Sequence, residues 1–118
     1  MPECLPAARE STLLRIILDD DRVLGMHTVY QQLVLAAHRM GLAGATVTRG
    51  LVGYGPASRN TEPLLPLASP PVIIEIVDSA ERISEFLAAV RSLLDDALVT
   101  VQKVMVLRVA SGSEPAAT

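Results

Sequence analysis

The chain has 118 residues, half of them hydrophobic, and a formal net charge of −3. This length suits a single domain, and the acidic balance excludes the basic footprint that nucleic-acid binding requires. A single cysteine excludes an intrachain disulfide and a cysteine-based metal cluster.

The sequence carries no recognisable targeting or membrane-spanning signal. Its first residues lack a basic start and an apolar run, so a signal peptide is not expected. No stretch reaches the roughly 18 apolar residues of a membrane span. We therefore expect a cytoplasmic protein, not inserted in a membrane, whose domain covers 12–108 between flexible tails at 1–11 and 109–118.

The first half of this domain is predicted as a strand, a helix and a second strand. Residues 12–18 are a short apolar run bounded by charge, as in a strand. Apolar residues at helical spacing predict a helix over 26–40 that stops at Gly41, where a left-handed residue is common. Residues 45–54 are rich in β-forming residues and contain two glycines, so we expect a strand that bends or approaches another group closely.

A proline-rich segment separates the two halves of the domain. Residues 55–71 contain five prolines, which argue against both a helix and a central strand. Loops of this length are uncommon in compact domains unless they have a function or are disordered. The segment is therefore predicted to be a long, functional loop.

The second half again has the order strand, helix, strand. Residues 72–77 form a strongly apolar strand, and 98–107 form the last one. Between them, Asp78 and Glu81 have the spacing of a helix cap and its reciprocal partner, ahead of an apolar helical stripe. The order β-α-β-β-α-β predicts an α+β, ferredoxin-like sandwich with two helices on one face of an antiparallel sheet.

The predicted sheet has apolar residues on both faces. A sheet covered by helices on one face should alternate apolar and polar residues, and these strands do so poorly. Soluble monomers rarely expose such a large apolar patch, so we expect an oligomer. Glu75 is the acidic residue expected to be partly buried, paired with Arg15 or Lys103 across the sheet or across an interface.

Motifs for common catalytic or metal chemistry are missing from the sequence. It contains neither a phosphate-binding P-loop nor a Gly-x-Ser-x-Gly nucleophile elbow. His27 and His38 are predicted about 16 Å apart on one helix, too far to share a metal ion. The three consecutive aspartates at 19–21 lack the spacing of a calcium loop, so we expect no catalytic or metal-binding residue.

The segment around the second strand is the best candidate for ligand binding. Glycines allow backbone N–H groups to approach an anion, and arginine supplies a forked donor. The pattern predicts a site for a small anion formed by Arg49, Gly50, Gly53, Tyr54, Gly55, Arg59 and Lys103. A glycine-kinked hairpin without a ligand fits the same pattern.

Three blocks of this sequence resemble a known family. They are 41–50 (GLAGATVTRG), 53–55 (GYG) and 72–78 (VIIEIVD), and their order resembles that of an uncharacterised bacterial and archaeal family of unknown function with a P-II-like fold. The resemblance covers 12–108. It implies a ferredoxin-like subunit and, through the P-II signal proteins, a homotrimer that binds adenine nucleotides in the clefts between subunits. It also implies that loop 55–71 contacts a partner, often a transporter or an enzyme, and that its base lies beside the nucleotide phosphates.

Two features depart from the P-II pattern. P-II proteins have a glycine- and lysine-containing loop before the last strand, where this chain has Asp95 and Asp96, whose charges repel phosphate. The P-II loop often carries a modifiable tyrosine, and residues 56–71 contain none. An adenine nucleotide is therefore one candidate ligand, and tyrosine modification of the loop is not expected.

Three functions fit such a fold. The first is a trimeric regulatory protein that senses a small anion. The second is a small enzyme, such as an acyl-phosphate hydrolase or a dimeric α+β-barrel oxygenase, which should show convergent titratable groups. The third is an oligomeric metal-binding protein like the copper-tolerance proteins, which the scarcity of histidine and cysteine disfavours. We expect the first, a binding protein rather than an enzyme.

Overall fold

The computed structural model describes residues 8–19, 23–51 and 71–108. Its elements, in chain order, are β1 (Ala8–Asp19), β2 (Val23–Leu24), β3 (His27–Thr28), α1 (Val29–Arg39), β4 (Thr46–Arg49), β5 (Pro71–Asp78), α2 (Ala80–Ala89) and β6 (Leu98–Leu107). A 3₁₀ turn at Arg91–Leu93 follows α2. The main sheet has the strand order β4-β5-β1-β6 with every neighbouring pair antiparallel, while β2 and β3 form a separate hairpin. The predicted α+β, ferredoxin-like arrangement is confirmed.

One face of the sheet, which we call the helix face, packs against both helices. Alternate residues of β1 and β5 are buried on this face. Because only 3% of the residues are aromatic, the core is built from aliphatic side chains around a fully buried Phe86. Its buried side chains are Leu14, Ile16, Leu18, Val29, Leu33, Ala37, Leu42, Val72, Ile74, Ile76, Ile83, Phe86 and Val90.

The first strand is longer than the sequence predicts. It begins at Ala8 because residues 8–11 continue the antiparallel ladder with 104–107 of β6. These residues therefore belong to the sheet, whereas the sequence pattern assigned them to the N-terminal tail. The pattern failed here because 8–11 contain charged and small residues instead of an apolar run.

The second main strand is shorter than the sequence predicts. β4 comprises Thr46–Arg49, whereas the pattern predicts a strand over 45–54, and the ladder closes at Gly50. Residues 1–7, 20–22, 52–70 and 109–118 lie outside the described residues. The expected tails and the conformation of loop 55–71 therefore stay predictions.

A capping box sets the start of α1. Thr28 Oγ1 accepts a hydrogen bond from the backbone N–H of Gln31 at 3.3 Å, and Gln31 Oε1 accepts one from the Thr28 N–H at 3.1 Å. The helix begins at Val29, and His27 lies in β3, after a turn in which Gly25 has a left-handed φ of 78°. The prediction that His27 lies on the same helix as His38 is therefore wrong, because the glycine turns the chain into a hairpin first.

The predicted end of α1 at Gly41 is confirmed. Gly41 has a φ of 76°, and its N–H donates to the carbonyl oxygen of His38 at 3.1 Å. The N–H of Leu42 donates to the carbonyl oxygen of Ala37, also at 3.1 Å. This pair of bonds satisfies the last carbonyl groups of the helix and requires a residue that tolerates the left-handed region.

The opposite face of the sheet, which we call the open face, carries a group of apolar side chains among polar ones. It carries Leu13, Ile17, Ile73, Val77, Leu98, Val104 and Val106 by register. An ion pair lies among them, in which Arg15 Nε and Nη2 are 2.8 and 2.7 Å from Glu75 Oε2. The pairing of Glu75 with Arg15 is confirmed, while Lys103 Nζ lies 3.6 Å from Glu10 Oε2 instead.

Both helices are short. Neither helix in the described parts of the chain is long and apolar enough to span a membrane.

Candidate functional site

A backbone hydrogen bond closes the base of the long loop. Arg49, the last residue of β4, pairs with Val72 of β5. The N–H of Gly50 then donates to the carbonyl oxygen of Pro71 at 2.8 Å. A Cβ atom at Gly50 would lie 2.9 Å from Cγ of Pro71, so a larger residue requires one of the strands to shift. We call these four residues the loop base.

The side chain of Arg49 is exposed at the loop base. Its partner in the ladder, Val72, is buried on the helix face, and directly opposite residues of an antiparallel pair share a face. Arg49 therefore lies at the helix-face side of the loop base. The close approach that the sequence predicts for Gly50 is present, but the group that it approaches is Pro71.

Acidic residues lie at the same end of the sheet as Arg49. The register places Asp19, the last residue of β1, opposite Pro71, and β6 starts at this end as well. Asp95 and Asp96 precede β6 and are exposed. An anion here would experience both a guanidinium and several carboxylates. Its binding energy would therefore depend on a direct, short contact with Arg49 rather than on the net field.

Lys103 lies far from Arg49 within one subunit. It pairs with Thr12 of β1, whereas the row of Arg49 and Val72 continues to Leu18 of β1. The six residue steps from 12 to 18 correspond to about 20 Å of strand. A site that contains both basic residues would therefore need two subunits, and the joint role of Arg49 and Lys103 stays a prediction. The remaining predicted site residues, Gly53, Tyr54, Gly55 and Arg59, lie outside the described residues.

A polar cluster that the sequence does not reveal fixes the start of β4. Asp78 Oδ2 accepts a hydrogen bond from the N–H of Ala43 at 2.9 Å, and its Oδ1 accepts one from the N–H of Ser79 at 2.7 Å. Arg82 Nη2 donates to the carbonyl oxygen of Met40 at 2.6 Å. The connection from α1 to β4 is thereby tied to the start of α2, which positions the strand that carries Arg49.

The helix cap of α2 differs from the predicted one. Ser79, not Asp78, is the N-cap, and its Oγ accepts a hydrogen bond from the N–H of Arg82 at 3.2 Å. The predicted pair of Asp78 and Glu81 is therefore wrong. Asp78 precedes the N-cap by one residue, and its carboxylate accepts a hydrogen bond from the N–H of Ala43. The serine that follows it is an equally good capping residue.

An apolar groove lies between the two helices, away from the sheet. Its volume is about 630 Å³, and its walls are mostly aliphatic, with Met26, Leu35 and Leu93 among them. His27 and Arg39 are the titratable residues that line it. In the part of the chain that the structure describes, no three histidine, cysteine, aspartate or glutamate side chains lie close enough together to hold a metal ion.

Residues 11–106 match the DUF190 family, which is described as an uncharacterized ACR. A UPF0166 protein of Aquifex aeolicus strain VF5 is 35% identical over 97 residues, which cover 80% of this chain and 91% of that protein. The family match runs from within β1 to within β6 and includes both helices.

Solved structures with the same fold include P-II-like proteins. The apo form of CPII from Thiomonas intermedia K12, a nitrogen regulatory P-II-like protein, superimposes with a TM-score of 0.63 at 15% identity, covering 84% of this chain and 94% of that one. CPII bound to ADP, AMP and bicarbonate gives a TM-score of 0.63 at 18% identity, covering 87% and 99%. A putative P-II-like signaling protein from Thermus thermophilus gives 0.59 at 16% identity, covering 85% and 92%.

Proposed function

Because the chain belongs to the DUF190 family and has the fold of P-II-like proteins, we propose that it is a P-II-like regulatory protein that binds a small anion. An adenine nucleotide is the first candidate, since CPII of the same fold binds ADP and AMP. In this proposal the protein acts by binding and release and has no catalytic role.

The geometry of the loop base carries the proposal. The hydrogen bond between Gly50 and Pro71 brings the two ends of the loop together beside the exposed Arg49. A ligand that contacts Arg49 would therefore also contact the loop as it leaves the sheet. Binding would be coupled to the loop conformation, which is the property that a sensor with a partner-binding loop requires. In the proposal, loop 55–71 contacts a transporter or an enzyme.

The ligand site lies between subunits in this proposal. The open face carries seven aliphatic side chains, and Val101 and Met105 on the helix face of β6 are 56% and 44% exposed. Burial of these surfaces favours association, and three subunits would cover them in a closed ring. A neighbouring subunit would then bring its Lys103 towards the Arg49 of the first, together with Arg59 of the loop.

Isothermal titration calorimetry with ATP, ADP, AMP and cyclic nucleotides, each with and without bicarbonate, tests the ligand. We expect one of them to bind, and Arg49→Ala to weaken that binding by about 1.5–3 kcal/mol, the usual scale of a charged hydrogen bond. Arg39→Ala is the matched control, because Arg39 is an exposed arginine at the end of α1 and away from the loop base. Absence of binding at millimolar concentration, or equal losses in both variants, would contradict the proposal.

A further inference from the structure

The apolar groove between the two helices is formed by residues outside the surfaces that the proposed trimer covers. Its walls come from the β2–β3 turn, from α1 and its C-cap, from the end of α2 and from the 3₁₀ turn. Among the described residues that line it, none belongs to the main sheet or to the loop base. The groove is therefore separate from the ligand site proposed between subunits.

Small side chains leave the space between the helices. Ala36 of α1 and Ala89 of α2 line the groove together with the buried Val90. Because alanine has only a methyl side chain, it leaves a volume that a longer aliphatic residue would fill. The resulting volume of about 630 Å³ is typical of small-molecule sites, which are mostly apolar with a few polar groups.

Exposed aliphatic side chains extend the apolar surface of the groove. Leu35 of α1 and Met26 of the β2–β3 turn both line it and are exposed. Methionine is unbranched and adapts its shape to an apolar partner. Gln32 Nε2 donates a hydrogen bond to the carbonyl oxygen of His27 at 3.1 Å, which holds the turn against the start of α1. The apolar surface therefore continues from the helix onto the turn.

A single arginine lines the groove at the other end of α1. Arg39 lies seven residues after Gln32, which corresponds to about 10 Å along the helix. Its side chain is exposed and forms no salt bridge with the described residues. None of the described residues that line the groove is acidic. The groove thus complements an amphiphile that carries a negative charge at one end.

A carboxylate matches this arginine better than a phosphate ester does. A guanidinium group binds a carboxylate through two parallel N–H donors and neutralises its one charge. A phosphate monoester carries a charge of about −1.5 to −2 at pH 7, which one arginine does not neutralise. The charge of the groove therefore favours a monoanion.

We propose that the groove binds an aliphatic carboxylate of medium chain length. The carboxylate binds Arg39, and the hydrocarbon chain packs along Leu35 and Ala36 towards Met26. The site shares no residue with the loop base. Its ligand and the proposed nucleotide therefore bind independently.

Titration of the ¹⁵N-labelled full chain with sodium octanoate tests the site by NMR, at constant ionic strength and below the concentration at which octanoate forms micelles. We expect saturable shifts of the backbone N–H signals of Leu35, Ala36 and Val90, with half-saturation at about 1 mM. From butanoate through hexanoate to octanoate, the affinity should rise about two- to fourfold for each added CH₂ group. Linear, unsaturable shifts with octanoate, or an affinity that does not depend on chain length, would overturn the proposal.

Three further probes with the same eight-carbon chain test the charged group. The neutral 1-octanol and the cationic octylamine should bind at least about tenfold more weakly than octanoate, because neither makes a charge-assisted hydrogen bond with Arg39. Octyl phosphate should bind no more tightly than octanoate. Equal affinities for octanoate, octanol and octylamine would show an apolar surface that does not select an anion. That result, or tighter binding of octyl phosphate, would overturn the carboxylate site.

A charge reversal at Arg39 separates recognition of the carboxylate from a general defect. Arg39→Glu should weaken octanoate binding at least about tenfold, strengthen octylamine binding and leave octanol binding unchanged. Arg91→Glu reverses the charge of an exposed arginine that does not line the groove, so the order of the three affinities should stay the same. Equal changes for all three probes in Arg39→Glu would overturn the role of Arg39.

A second copy of the chain is the other occupant that could bury this groove. Leu35→Asp places a charge on its apolar wall and should abolish octanoate binding while the mass measured by light scattering stays that of the unaltered protein. A smaller assembly in Leu35→Asp would assign the groove to a contact between copies and overturn the ligand site. The calorimetric nucleotide titration succeeds or fails independently of these results.

Discussion

Arg82, in the first turn of α2, donates a hydrogen bond from Nη2 to the carbonyl oxygen of Met40 at 2.6 Å. Met40 is the C-cap of α1, so one helix supplies the side chain that satisfies the end of the other. The carboxylate of Asp78 makes a parallel connection to Ala43, a little further along. The two long-range contacts fix the connection between α1 and β4.

Loss of the Arg82 side chain should destabilise the protein. Arg82→Ala removes a charged, partly buried hydrogen bond, and we expect the free energy of unfolding to fall by about 1.5–3 kcal/mol. Urea denaturation at fixed protein concentration measures this change. Arg91→Ala, an exposed arginine in the 3₁₀ turn, should change it by less than about 0.5 kcal/mol. Similar losses in both variants would show that the hydrogen bond from Arg82 to the carbonyl oxygen of Met40 does not stabilise the fold.

Two serines, one at the start of α2 and one inside it, test the assignment of the N-cap. Ser79→Ala removes the side chain that accepts from the N–H of Arg82 and should cost about 1 kcal/mol of unfolding free energy. Ser84→Ala, at an exposed position inside α2, should be neutral or slightly stabilising because alanine is the better helix former. Thermal or urea unfolding of both variants measures the difference. A cost at Ser84 that equals the cost at Ser79 would contradict the cap assignment.

The sequence predicts the features that depend on local patterns. The short apolar runs identify β1 and β5, and the position of Gly41 identifies the end of α1. In each case the residues concerned are neighbours along the chain or follow the period of one element.

The features that the sequence misses depend on contacts between distant residues. Asp78 and Ser79 are both good helix caps, but Asp78 ends β5 opposite Thr12 and accepts a hydrogen bond from the N–H of Ala43, 35 residues away. The close approach of Gly50 to Pro71 likewise joins residues on the two sides of the loop. A glycine that approaches a proline and a glycine that approaches a phosphate cannot be distinguished in the sequence.

Gly50→Ala should open or distort the loop base. The new Cβ would lie 2.9 Å from the ring of Pro71, which cannot turn away as a flexible side chain does. We expect a loss of about 1–3 kcal/mol in the free energy of unfolding, measured by urea denaturation. Gly44→Ala is the matched control, because a Cβ at Gly44 meets no atom within 4 Å and should cost little. If both alanines are tolerated equally, the close contact at the loop base is relaxed in solution.

The protein is expected to be a trimer in solution at micromolar concentration. Leu98→Asp and Val101→Asp place a charge at positions that are 50% and 56% exposed in the single chain, so they should spare the subunit fold. Both should shift the mass measured by multi-angle light scattering towards the monomer, because an unpaired charge in an interface is costly. Met26→Asp, at a position that is 92% exposed in the β2–β3 turn, should leave the mass unchanged. A monomer mass for the unaltered chain would exclude the trimer.

Two substitutions at Asp96 separate the cost of backbone strain from the cost of charge repulsion. It has a left-handed φ of 63°, a region that costs most residues other than glycine about 1–2 kcal/mol and costs aspartate and asparagine less. Asp96→Gly should therefore raise the free energy of unfolding by about 0.5–1 kcal/mol, while Asp96→Asn should change it by less than about 0.5 kcal/mol. Both variants remove a carboxylate from the end of the sheet that carries Arg49, so both should tighten the proposed nucleotide binding by the same factor. Urea denaturation and calorimetry on the two variants measure these effects.

If asparagine stabilises the fold as much as glycine does, then charge repulsion rather than backbone strain is the cost at Asp96. If neither variant tightens nucleotide binding, the phosphates do not approach the connection before β6.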